Sequence, residues 1–182
     1  MSDVLDKLTA DHVHIARLLA LFEEQVRIIH AGENPDASLL QDIMGFMTHY
    51  PDLIHHPLED LVFEHVINHD KDARKSLQVL LNEHEEISRV GHELKVYVDS
   101  LETEALVRRD ILDKLASDYL KTLRRHMRHE EEHAFPLARK LLDASEWDMI
   151  RAEFKVKDHE VFGKVLDEHY QTLYHSITGT SD

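Results

Sequence analysis

Two residue pairs have the spacing of a helix-borne metal grip: His55 with Glu59, and His126 with Glu130. Side chains four apart on a helix project from one face, so an imidazole and a carboxylate there can hold one ion or two adjacent ions. The spacing alone decides little. With 16 His and 18 Glu among 182 residues, about 1.6 such i,i+4 pairs arise at random. A repeat gives the pairs weight. Asp11-His12-Val13-His14-Ile15 returns 72 residues later as Glu83-His84-Glu85-Glu86-Ile87. His55/Glu59 returns after 71 residues as His126/Glu130, and Phe63 after 72 as Phe135. Self-similarity at a fixed offset marks duplicated architecture, here two helix pairs facing each other about a pseudo-twofold axis. His12, His84, His126 and Glu130 also interrupt apolar stripes, where polar groups are costly without partners. The candidate metal ligands are therefore His12, His55, Glu59, His84, His126 and Glu130. Four imidazoles and two carboxylates suit two first-row metal ions, with two histidines on each and the glutamates bridging.

Such a centre needs long helices, and the chain is built for them. Five Gly and four Pro make up about 5% of the residues against an average near 12%, too few turn formers for a β-sandwich or barrel. Leu8, His12, Ile15, Leu19, Phe22, Val26 and Ile29 step by three and four, the mark of one helix face. Gly32-Glu33-Asn34-Pro35-Asp36 ends that helix. A second helix is expected from Ala37, bent by Pro51 and Pro57, to about Asn68. A third stripe runs from Leu77 to Leu101 and a fourth from Leu112 to Leu141, with a bend at Pro136. The expected fold is all-α. Residues 1–144 form an antiparallel four-helix bundle with an internal two-fold repeat. Residues 145–182 form a C-terminal helical extension packed on it, with helices at Glu146–Arg151 and Asp158–Ile177.

Composition narrows the function. The formal charge of −15 disfavours nucleic acid and anionic membrane as partners. The absence of cysteine excludes disulfides, thiolate metal sites and thiol catalysis. No apolar run approaches 18 residues, and the MSDVLDKL start lacks a signal-peptide core, so a soluble cytoplasmic protein is expected, monomeric or homodimeric.

The segments Asp11-His12-x-x-Ile15, Tyr50-Pro51-Asp52-Leu53-Ile54-His55-His56-Pro57-Leu58-Glu59-Asp60, Asn82-Glu83-His84-Glu85-Glu86-Ile87, and His126-Met127-Arg128-His129-Glu130-Glu131 leading to Phe135-Pro136 stand in an order that resembles the hemerythrin-like, or HHE cation-binding, domain. The resemblance covers roughly residues 4–142. It implies a four-helix bundle with a non-haem di-iron centre, oxo- or hydroxo-bridged when oxidised. By position its ligands fall on His12, His55, Glu59, His84, His126 and Glu130. Oxygen-carrying members use a His-x-x-x-His pair on the third helix and an Asp five residues after the last-helix His. This sequence has Ser88 and Glu131 there, so it departs from the oxygen-carrier pattern. The four-His, two-Glu set looks more like bacterial iron-centre repair proteins and the iron-sensing domain of an F-box ubiquitin-ligase subunit. The repair proteins usually have an extra Cys-bearing N-terminal domain, and no cysteine occurs in this sequence.

The function this implies is binding or sensing of a small molecule such as oxygen, nitric oxide or peroxide, or of iron itself, at two irons. Zinc or manganese also suits the donor set. The alternative is a di-iron oxidase or peroxide-decomposing enzyme. A remoter alternative is a zinc-dependent hydrolase, because His129-Glu130-Glu131-Glu132-His133 fits His-Glu-x-x-His. That reading lacks the sheet edge on which proteases hold extended substrates, and the repeat explains Glu130 without it. The one Glu-x-x-His motif, Glu130 to His133, falls short of the two that a ferritin-like site needs. His133 lies two turns beyond His126 and is read as the bundle end rather than a further ligand. His56 and Asp60, about 100° around from His55 and Glu59, would replace that pair only if Pro57 rotated the helix. Asp60 is read as support. Tyr50 and Tyr119 are expected to pack near the centre. His14, His65 and His69 are assigned to the surface, and His30, His49, His92, His159, His169 and His175 to no role.

Overall fold

A computed structural model describes residues 3–102 and 108–161. Every regular element is helical, and no strand occurs among the described residues. Helix α1 (Asp3–His30) ends at Gly32, whose φ of +79° is left-handed backbone that only glycine adopts cheaply. There Glu33 N–H donates to Ile28 O at 3.1 Å and Gly32 N–H to Ile29 O at 3.0 Å, which satisfies carbonyls at the helix end. Arg109 opens α5 (Arg109–His129) and donates to the Gly32 and Glu33 carbonyls and to Asn34 Oδ1, fixing this loop. Helix α2 (Ala37–Met47) is capped by the Asp36 carboxylate, which accepts Leu39 N–H at 3.0 Å.

The second predicted helix is in fact two. It stops at Thr48, whose N–H and hydroxyl both donate to Met44 O, at 3.0 and 2.7 Å, shortly before Pro51, which has no N–H to continue the ladder. A π-helical turn, Pro51–His55, then leads into α3 (His56–His69). A matching π-helical turn, Glu130–Ala134, joins α5 to α6 (Phe135–Leu141). The cause is shared. Pro57 and Pro136 have no N–H for the i→i−4 ladder, and the residue before each closes a wider turn: His56 N–H to Pro51 O, and Phe135 N–H to Glu130 O.

Helix α4 (Arg74–Asp99) follows a turn at Asp70, whose carboxylate accepts Asp72 N–H at 2.9 Å. Helix α7 (Ala144–Val161) starts from a reciprocal cap. Asp143 accepts Glu146 N–H at 3.1 Å while Glu146 accepts Asp143 N–H at 2.9 Å. It continues past Arg151, where the sequence reading had ended a short helix, and the remainder of the expected Asp158–Ile177 helix lies outside the described residues.

Helix α1 packs on α2 and α5; α4 packs on α2, α3 and α5; α3 packs on α6 and α7. Two separate hydrophobic clusters result. One holds Ile15, Phe22, Met44, Ile87 and Leu123; the other holds Leu8, Leu58, Phe63, Leu80, Ala134, Trp147 and Ile150. Along α1 the sequence passes from Leu8 in one cluster through His12 to Ile15 in the other; along α4 it passes from Leu80 through His84 to Ile87. A polar layer therefore separates the clusters.

Candidate metal centre

The polar layer contains all six predicted ligands. Helix α1 supplies His12, the first π-helical turn His55, α3 Glu59, α4 His84, α5 His126 and the second π-helical turn Glu130. Glu59 and Glu130 are 0% exposed, and the four histidines are buried. The imidazoles turn Nε2 toward the glutamates. His12 Nε2 lies 3.4 Å from Glu59 Oε1 and 3.4 Å from Glu130 Oε2. His55 Nε2 lies 3.2 Å from Glu59 Oε1. His84 Nε2 lies 3.4 Å from Glu59 Oε2 and 3.3 Å from Glu130 Oε1, and His126 Nε2 lies 3.1 Å from Glu130 Oε1.

Each imidazole presents its other nitrogen to an outer carboxylate. Nδ1–H of His12 donates to Glu131 at 2.9 Å, that of His55 to Asp11 at 3.3 Å, that of His84 to Asp60 at 2.6 Å, and that of His126 to Glu83 at 3.1 Å. This keeps the proton of a neutral ring on Nδ1 and turns Nε2 inward, the arrangement that metal-binding histidines adopt. The outer partners obey the repeat as well. Asp11 and Glu83 precede His12 and His84; Asp60 and Glu131 follow Glu59 and Glu130. The repeated phenylalanines act alike, Phe135 stacking on His12 at 5.4 Å between centroids and Phe63 on His84 at 6.3 Å. Lys7 and Arg125 each bind the outermost face of this shell, at Asp11 (2.7 Å) and Glu83 (2.9 Å).

Whether a cation fits can be read from what the protein leaves undone. Nε2 of His12 and of His126, both carboxylate oxygens of Glu59, and Oε2 of Glu130 are buried without a hydrogen-bond partner. Buried polar atoms are ordinarily paired, and these five face one another. Subsets of the site already have the compactness of a ligand set: His12, His55 and Glu59 form one, and His56, Glu59, His84 and His126 another, with donor atoms in each within 4.8 Å of one another.

Electrostatics follow from the crowding. Burial disfavours a charged His12, but the Glu130 and Glu59 carboxylates outweigh it and lift the imidazole to about 10. His55, His84 and His126 are raised against burial in the same way, chiefly by Glu59, by Asp60 and by Glu130 respectively. Burial would push Glu59 and Glu130 up, yet the imidazoles hold both below the usual carboxylate range. His56 is the exception, because burial dominates there and lowers it to about 4.

Other predicted residues sort clearly. Asp60 supports His84 rather than replacing Glu59. His56 is buried beside His55, so the Pro57 segment turns both histidines inward instead of exchanging one for the other. Glu130 faces the buried cluster, while His133 is exposed and His129 half-buried, their rings 5.3 Å apart. The three residues of the hydrolase motif therefore do not converge. Tyr119 is buried and meets Phe22 edge-on at 6.3 Å; Tyr50 is half-buried and accepts from Lys7 at 2.7 Å. His30 pairs with Asp113 at 2.9 Å and His92 with Asp52 at 3.1 Å. His169, His175 and the side chain of His159 lie outside the described residues. The sequence reading missed Asp11, Glu83 and Glu131 as supports, although each adjoins a predicted ligand.

A narrow cavity of about 10 Å³ touches the cluster, lined by His12, His55, His56 and His126 and by apolar groups including Met47 and Tyr119. A groove of about 640 Å³ between α1 and α5 contains no cluster residue. No helix among the described residues is long and apolar enough to cross a membrane.

Searches of curated proteins and of solved structures returned no match. The family model described as the hemerythrin HHE cation binding domain matches residues 3–138, a stretch that takes in all six converging side chains. On a match of that extent, the chain belongs to the hemerythrin HHE cation-binding domain family.

Proposed function

We propose that the protein holds two non-haem iron ions in this cluster and uses them to bind or sense a small molecule such as oxygen, nitric oxide or peroxide, or to register iron itself. In this reading His12 and His55 would hold one ion and His84 and His126 the other, with Glu59 and Glu130 shared between them. Residues 1–144 as an antiparallel four-helix bundle, 145–182 as an extension packed on it, and a cytoplasmic location belong to the same proposal.

The observation that carries it is the set of buried, mutually facing nitrogens and oxygens left without hydrogen bonds. Bound iron would supply open coordination positions and a change of redox state. The chain's own residues do the rest. Asp11, Asp60, Glu83 and Glu131 hold the imidazole tautomers, and the two hydrophobic clusters keep bulk water out. The adjoining cavity of about 10 Å³ has room for one water-sized molecule, which favours a ligand of two or three atoms over an extended substrate.

Metal content and the absorption spectrum, taken on one sample made in iron-replete cells, test the proposal. Two irons per chain with a near-ultraviolet oxo-bridge band support it. One zinc and no such band would overturn it. A retained adduct with a small ligand favours binding or sensing, whereas catalytic turnover of peroxide favours the enzyme.

A further inference from the structure

The chain carries a formal charge of −15, yet one face of α5 collects positive charge. Lys121, Arg124, Arg125 and Arg128 follow one another at i, i+3, i+4 and i+7, the spacing of one helix side. Lys121 with Arg125, and Arg124 with Arg128, are therefore like-charge neighbours one turn apart, which costs a helix stability. Other i,i+4 neighbours in the molecule are opposite in sign: Lys7 with Asp11, Arg89 with Glu93, Lys95 with Asp99 and, earlier on α5 itself, Lys114 with Asp118. All four cations of the stripe line the groove of about 640 Å³ between α1 and α5, where Arg27 joins them from α1. Five cations meet two carboxylates there, Glu23 and Asp113, a local balance of +3 with His30 neutral. Three of the cations are committed: Arg124 to Glu23 at 3.0 and 2.8 Å, Arg125 to Glu83 at 2.9 Å, and Arg27 to Glu24 at 2.6 Å. Lys121 and Arg128 have no hydrogen-bond or ion-pair partner among the described residues. Seven residues of helix set their backbones about 10 Å apart. Val26 and Leu120 add apolar surface to the same groove.

We propose that this groove binds a small organic dianion, a molecule with two phosphate or carboxylate groups about 10 Å apart on an apolar body, one group held by Lys121 and the other by Arg128. The volume is that of a small-molecule site. The Arg128 guanidinium can take either kind of group with two parallel hydrogen bonds, and the Lys121 ammonium meets the other as a point charge. The apolar body lies against Val26 and Leu120. A bound dianion would also relieve the like-charge crowding along the stripe. The inference stands apart from the two-metal reading, because no residue of the buried cluster lines the groove.

Titration calorimetry on the whole chain as purified tests it. The probes are hexanediol bisphosphate and octanedioate, whose two anionic groups flank an apolar chain, and the neutral hexanediol. At least one dianion should bind with a Kd below about 1 mM, more weakly as salt rises, while hexanediol should not bind. Which dianion binds separates a phosphate ligand from a carboxylate one. K121Q/R128Q should weaken that binding roughly tenfold or more. K75Q/K140Q removes the same charge from exposed positions outside the groove and should change it by less than about twofold. Failure of both dianions to bind overturns the proposal. So does an unchanged affinity in K121Q/R128Q, and so does equal weakening in the two double variants, which would mark unspecific attraction. Should K121Q/R128Q fail to fold by circular dichroism, R128Q alone decides: unchanged affinity rejects the site, and weakened affinity sustains it.

Discussion

His12 and Glu131 lie 119 positions apart in the chain, and the imidazole Nδ1–H of the first donates to the carboxylate of the second at 2.9 Å. Asp60 does the same for His84 at 2.6 Å. Each half of the repeat thus positions a histidine of the other. Glu131→Gln and Asp60→Asn should each leave the fold intact and weaken metal retention by about 10–100-fold. Chelator titration checks this, and an equal affinity in both variants and the parent would contradict it.

Removing a ligand should do more than removing a support. His55→Ala or Glu130→Ala should abolish two-metal stoichiometry, measured by elemental analysis of purified protein. His30→Ala should not, because His30 pairs with Asp113 at the surface, away from the cluster. A paired change of His129 and His133 should also retain two metals, since neither joins the cluster.

Metal uptake should release protons. Without metal, Glu130 and Glu59 lift His12 to about 10, so it holds its second proton at neutral pH, and His55, His84 and His126 are raised in the same direction. A metal-bound imidazole carries none at the donor nitrogen, so binding expels protons and affinity rises as pH rises. Calorimetry in buffers of different ionisation enthalpy measures the number released. A heat independent of buffer would refute the expectation.

Gly91 sits where α4 passes Tyr119. A Cβ added there would stand 3.2 Å from Tyr119 Cε2 and 3.4 Å from Thr48 Cγ2. Tyr119 is buried against Phe22 and has little room to retreat. Gly91→Ala gains about 1 kcal/mol in helix propensity, but overpacking costs about 1–3 kcal/mol. Thermal or urea unfolding should show a net destabilisation of about 1 kcal/mol, and a rise in stability would show that the aromatic ring yields.

The six converging residues were legible because duplication leaves a fixed offset that neither helical periodicity nor composition produces. Asp11 with Glu83 and Asp60 with Glu131 carry the same 72- and 71-residue offsets, but that Asp11 and Glu83 serve a histidine of their own half while Asp60 and Glu131 serve one of the other half depends on which helices meet. The break after Met47 was hidden because the apolar pattern runs on across it, and Pro51 reads from sequence as a bend as readily as a break. The π-helical turns were hidden because a 3.6-residue pattern does not register a single widened turn. That is why His55 and His56 looked like rivals and are neighbours. Ser88 and His92 reach Asp52 across 36 and 40 positions, and no local signal announces either contact.

The polar layer between the two hydrophobic clusters also shapes how the molecule holds together mechanically. In an undivided core, apolar contact transmits order from end to end. Here α1 and α4 must transmit it through His12 and His84, across a waist of ionisable groups. The two ends are therefore joined through buried charge as well as through apolar contact. Anything that fills or empties that waist is felt at both ends, which makes the centre a coupling joint as well as a binding place.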